Sequence, residues 1–109
     1  MDRKESKKRS VGKVIQKERI DKGVSLRKLA SVAGVSPSYL SKIENNVMPP
    51  PSADKIGAIA KVLDLNADKL ISLSNKIPSD VVSIIRRKPI ECFNLLRRSK
   101  NEPELFAKN

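Results

Sequence analysis

The chain has no histidine, no tryptophan, one cysteine and only three aromatic residues in 109 positions. Each shortage removes a class of chemistry. Without histidine, and with Cys92 as the single thiol, the usual zinc ligand sets are missing and no intramolecular disulfide can form. Cys92 therefore reads as a core or interface thiol. No apolar run approaches the ~18 residues of a membrane span, and the charged N-terminus has no apolar segment behind it. The sequence predicts neither anchor nor signal peptide, and so a cytoplasmic, nucleoid-associated location. Paired carboxylates, a glycine-rich phosphate loop and an activated nucleophile are also lacking, so no enzyme and no cofactor are expected.

What the chain holds in excess is positive charge. Its 23 Lys/Arg against 12 Asp/Glu give a net charge of +11 and a pI near 10.1, the balance of a protein whose partner is a polyanion. The excess is uneven: residues 1–47 hold 12 basic and 5 acidic side chains, residues 48–109 hold 11 and 7. The length suits one domain, or one domain with an appendage, and no deep catalytic cleft.

Residues 25–45 carry the most informative pattern. Leu29, Ala30, Ala33, Val35, Leu40 and Ile43 are apolar or small, with Gly34 between the two runs, the spacing that packs one short helix across another. Ser25 and Ser36 are placed as N-caps, and Pro37 falls in a first turn, where its missing N–H costs nothing. The second helix of this helix-turn-helix would face outward with short polar groups and a lysine, which suits the DNA major groove.

Around that pattern the signals predict further helices. One runs from about Val11 to Lys22, capped by Ser10 and ended by Gly23, with Val11, Ile15 and Ile20 toward the core and Arg19 on the same largely apolar side. After Asn45-Asn46, a stiff Met48–Pro51 linker leads to Ser52 as the next cap. A fourth helix spans about Ala53 to Leu63 with Ile56, Ile59, Ala60 and Leu63 at helical spacing; a fifth, capped by Asn66, offers Leu70 and Ile71. Residues 1–10 are predicted to be a flexible basic arm, either a solvated tail or a segment that reaches a minor groove.

Residues 11–73 resemble the lambda-repressor-like helix-turn-helix domain of the Cro/CI (Xre) family. The resemblance rests on Gly23, Leu29-Ala30, Gly34-Val35, the run from Ser36 to Asn45, Pro51-Ser52 and Ile59 to Leu63. It implies an all-α fold of five helices, duplex DNA as partner, and an ion pair between Arg19 and Glu44 that fixes the angle between the first and third helices.

With Leu40 and Ile43 inward, helical geometry turns Ser38, Ser41, Lys42 and Asn45 outward. Ser38 and Lys42 are the candidates for base edges, flanked by Pro37 and Tyr39; Tyr39 can equally pack against the second helix. Candidate phosphate contacts are Ser25, Arg27, Lys28, Ser41, Asn45 and Asn46, the last with its neighbours Val47 and Met48.

Beyond residue 74 the family pattern stops. Ser79 can cap a helix through about Arg87, and a second helix would run from Pro89 or Ile90 to about Arg98, making a hairpin over residues 75–99. Val81, Val82, Ile84, Ile85, Ile90, Phe93, Leu95 and Leu96 occupy too much of its circumference for a lone surface appendage. Two outcomes stay open: the hairpin dimerises through Val81, Val82, Ile84, Ile85, Ile90, Phe93 and Leu96, or it folds back on the fourth and fifth helices. Residues 100–109 are predicted to be a mobile tail in which Leu105-Phe106 could dock.

The sequence thus predicts a sequence-specific regulator of transcription, a repressor acting as a homodimer on a twofold-symmetric operator. The competing prediction is an antitoxin-type module whose C-terminal helices neutralise a partner protein while the helix-turn-helix autoregulates.

Overall fold

The computed structural model describes residues 10–102 and 104. Their regular structure is helical, in the order α1 (Val11–Asp21), α2 (Leu26–Ala33), α3 (Pro37–Glu44), α4 (Ala53–Val62), α5 (Ala67–Leu73), α6 (Ser79–Arg87) and α7 (Pro89–Asn101). No strand occurs among the described residues. The expected arm, apart from Ser10, and the tail segment with Leu105-Phe106 lie outside the described residues. Two compact units divide after Pro78.

In the first unit, five helices start on the same local device. Ser10, Ser25, Ser36, Ser52 and Asn66 sit in extended backbone, and the side chain of each accepts a hydrogen bond from the backbone N–H three residues on. Such caps stabilise a helix by about 1 kcal/mol each, which matters for helices of only 7–11 residues. Gly23 and Gly34 take positive φ of 69° and 72° to end α1 and α2, a conformation glycine adopts without a Cβ penalty.

Amphipathic faces then close around one core. Ile15, Leu29, Leu40, Ile56, Ile59 and Leu63 are fully buried, from α1 through the end of α4, with Leu70 and Ile71 of α5 beside them. Each contributes about 1.5–3 kcal/mol relative to exposure, so the core outweighs any single surface contact. Ile20 corrects the sequence reading: it is 61% exposed. Five residues past Ile15, it is turned about 140° around the helix, and Val14 packs against the core in its place.

The second unit is a hairpin of α6 and α7, joined at Lys88 with Pro89 as the first helical residue. Two boundaries differ from expectation. Ser79 is the first residue of α6 rather than a cap preceding it. Helix α7 continues to Asn101, taking Lys100 out of the expected tail, with an Arg98–Glu102 ion pair of 3.1 Å over its last turn. Pro103 explains the stop, because the residue before a proline is steered away from helical backbone, and Glu102, at φ -133° and ψ 69°, has left it. Neither helix buries a single residue.

Candidate nucleic-acid interface

The connection between α2 and α3 is three residues long and is closed from both sides. Val35 N–H donates to Ala30 O at 3.0 Å and Gly34 N–H to Ser31 O at 3.2 Å, while Lys55 Nζ reaches across from α4 to Gly34 O at 3.2 Å. The two helices are therefore tied at their junction, and α3 starts immediately with Pro37 under the Ser36 cap.

Burial sorts the faces of α3. Leu40, Ile43 and Glu44 face inward; Pro37, Ser38, Lys42 and Asn45 are exposed, and Tyr39 and Ser41 are half-buried. Ser38 and Lys42, four residues apart, share one outward face. That face is small, polar and singly charged. Tyr39 stands between the alternatives set for it, part packed and part open.

The candidate phosphate residues form two groups. Ser25, Arg27 and Lys28 are exposed at the start of α2, where Ser25 Oγ already accepts from Lys28 N–H at 3.0 Å. The other group follows α3. Asn45 Nδ2 donates back to Ser41 O at 2.9 Å, and the N–H groups of Asn46, Val47 and Met48 donate to Ile43 O and Lys42 O at 3.1, 2.8 and 3.2 Å. These amides close the helix end, so they are not free to donate to a ligand. Asn46 makes the exit possible with a φ of 63°, which asparagine tolerates.

Behind the exposed face lies a two-pronged ion pair. Arg19 Nε and Nη2 donate to Glu44 Oε2 and Oε1 at 2.7 and 3.0 Å, and Nη1 donates to Val24 O at 3.1 Å. Glu44 is 1% exposed. The hydrogen bond that Arg19 donates to Glu44 holds its guanidinium above the ordinary pKa, outweighing the opposing effect of burial. The pair that the resemblance implied thus joins α1 to the end of α3 in a fork geometry available to arginine but not lysine.

Lys55 and Lys22 are positioning residues that the sequence reading missed. Lys22 Nζ donates to Leu63 O at the end of α4, as Lys55 does to the turn. Sequence carried no signal for either, because a lysine 21 or 41 residues from its acceptor is indistinguishable from a solvated one. Among the described residues there is no cluster of metal-binding side chains, and no helix is long and apolar enough to cross a membrane.

Comparison with known proteins places this geometry. A helix-turn-helix family model matches residues 15–70. The HTH-type transcriptional regulator SinR of Bacillus subtilis is 37% identical over 70 residues, 64% of this chain and 63% of that protein. The match thus spans less than two thirds of the relative's length. The crystal structure of SinR, described as the master regulator for biofilm formation, in complex with DNA is 41% identical over 56% of this chain and 97% of its own, with a TM-score of 0.50. A chain in the solved SinR protein/SinI protein complex is 29% identical over 84% of this chain and 98% of its own, again with a TM-score of 0.50. Together with the serine-capped, glycine-turned α2–α3 pair, these matches show that the chain belongs to the Cro/CI (Xre) type of the helix-turn-helix family.

Proposed function

We propose that this protein is a transcriptional regulator that binds duplex DNA through α2 and α3 and represses by occupying a promoter in the cytoplasmic nucleoid. The observation that carries the reading is the exposed face of α3: Ser38 and Lys42 are solvent-facing on a helix whose opposite side is locked to α1 and the core. Lys42 can donate to guanine O6 or N7, and Ser38 can donate or accept at a neighbouring base edge, with Pro37 and Tyr39 flanking. Arg27 and Lys28, with Ser25, hold the phosphate backbone beside α2; Ser41, Asn45 and Asn46 extend that contact past α3. Similarity to SinR in complex with DNA supports the same use of the fold.

The operator is twofold-symmetric and the bound form is a homodimer. One short helix in one groove reads few bases, so a second copy half a site away supplies the remaining specificity. The hairpin supplies the pairing surface. Val81, Ile84, Ile90, Phe93 and Leu96 are 37–65% exposed in a single chain, and Val82 and Ile85 lie half-buried beside them. A cleft of about 440 Å³ opens between Ile84, Cys92 and Leu95, rimmed by Arg87, Lys88 and Glu91.

A second reading, in which α6 and α7 bind a different protein, is favoured by one observation. The match to a chain of the SinR/SinI complex covers 84% of this chain, more than the first unit contains, so it extends into the hairpin. In that reading the helix-turn-helix serves autoregulation and the hairpin captures the partner.

Selection of bound duplexes from a random pool at about 0.15 M salt tests the proposal, because sequence-independent binding is then weak, ~10⁻⁴ to 10⁻⁶ M. Recovery of a twofold-symmetric motif with half-sites about 10 bp apart is the expected result. Recovery of no motif, with a small protein copurifying, moves the assignment to the second reading.

A further inference from the structure

Two glycines sit inside helices of the first unit, and their surroundings differ sharply. At Gly57 in α4, an added Cβ meets only the Cδ1 of Ile71 at 3.8 Å, an ordinary contact with a side chain. At Gly12 in the first turn of α1, the same atom would lie 2.2 Å from Ile43 O, 3.2 Å from Glu44 O and 3.0 Å from Asn46 Oδ1. The first two of these are backbone atoms at the C-terminal end of α3. Gly12 is buried, and its bare Cα is what allows α1 to lie directly on that end.

We propose that Gly12 is a positioning residue for sequence reading: its missing side chain fixes how closely the end of α3 lies against α1, and so the pitch at which α3 enters a groove. The inference rests on the DNA-reading proposal above. Two contacts join these helices at separate points. Gly12 touches the carbonyls of residues 43 and 44, and seven residues further along α1, Arg19 grips the Glu44 carboxylate. The ion pair is made by side chains that can adjust; the contact at Gly12 is backbone on backbone and cannot. A methyl at position 12 must push the end of α3 outward, while α2 remains tied to α3 at the Gly34 turn and to α4 through Lys55. The displacement therefore tilts α3 against the phosphate-holding start of α2. Base contacts depend on tenths of an ångström in hydrogen-bond length, whereas phosphate contacts by long lysine and arginine side chains absorb such a shift.

The test compares Gly12→Ala with Gly57→Ala in the full chain, on the duplex recovered from the random pool and on a scrambled duplex of equal composition. Gly12→Ala is expected to lose ten-fold or more in affinity for the selected duplex, with the scrambled duplex changed less than about two-fold and the salt slope unaltered. Gly57→Ala is expected to match the parent on both. Amide shifts of residues 41–48 should move in Gly12→Ala while those of α4 and α5 stay in place. The change is also made in the Gly57→Ala background, where a better helix former supports the fold. Equal losses on the two duplexes, or no loss, overturn the proposal. So does collapse of the helical signal in both backgrounds, which would make Gly12 a residue of the fold and not of reading. If the parent chain itself selects no motif, the DNA-reading proposal fails and this inference with it; if the parent discriminates and Gly12→Ala discriminates equally, only the inference fails.

Discussion

The two units of this protein use apolar residues in opposite ways. In the first, thirteen hydrophobic residues are buried, six of the larger ones at 0% exposure, although Ile20, Val32, Val47, Met48, Leu73 and Ile77 remain exposed. In the second, α6 and α7 carry a comparable density of valine, isoleucine, leucine and phenylalanine, yet bury none of them. A single helical hairpin has one interface between its two helices, and Ile84, Ile90, Phe93, Leu95 and Leu96 remain 42–65% exposed. The difference is that the first unit buries a core within one chain, whereas the second leaves its apolar residues exposed, which is the ground for the pairing surface proposed above.

The largest effects that sharpen this contrast belong to the first unit. Glu44→Ala leaves Arg19 as a partly buried charge with only Val24 O to accept from it and is expected to cost about 3 kcal/mol. In a small domain that lowers Tm by roughly 10–20 °C in a calorimetric scan. Removing Glu102 from its exposed pair with Arg98 should shift Tm by no more than about 2–5 °C, since such pairs contribute ~0–1 kcal/mol or less. Because the folded state raises the Arg19 pKa, the stability that this shift contributes is present throughout the neutral range and is lost as pH rises through that elevated value. A melting curve flat between pH 6 and 9 at this site checks it.

The contrast was only partly legible in the sequence. Caps and turns were readable because they are local: a serine or asparagine before an apolar run and a glycine after it act within four residues. The face of α3 was readable for the same reason, since Leu40 and Ile43 fix which side is inward. Arg19–Glu44 came through resemblance, as nothing local links residues 25 apart. Ile20 was misplaced because an apolar side chain near the end of a short helix looks like core unless its angle from Ile15 is counted. Gly12 gave no sign of its role; closeness of two backbones is a property of the fold and leaves only a glycine in the sequence.

The next effect is intermediate in size and belongs to the DNA-facing surface. Lys42→Ala is expected to lose about 1–3 kcal/mol of discrimination at roughly one base position, read as relaxed preference in a repeated selection. Lys28→Ala should instead weaken every sequence alike and reduce the salt slope by about 1, measured by anisotropy titrations between about 0.05 and 0.2 M salt. Two mutants with the same uniform loss would contradict the roles given to α2 and α3.

The smallest expected thermal effect comes from the second unit, and its smallness is the point. Leu96→Asp places a charge on the exposed hairpin face and should leave the melting of the first unit within about 0.5 kcal/mol of the parent, the range of ordinary surface changes. Its expected consequence is loss of self-association in light scattering. A large drop in Tm without a change of mass would mean that the hairpin face is covered by the chain itself.

The most direct test of the division of labour is sedimentation of the full chain and of a chain ending at Pro78, each alone at micromolar concentration and with the selected duplex. Expected are a dimer for the full chain, a folded monomer for the shorter one, and two copies of each on a twofold-symmetric duplex, the shorter pair assembling only at much higher concentration. A shorter chain that is still dimeric without DNA, or a full chain that is monomeric both free and bound, would contradict that division.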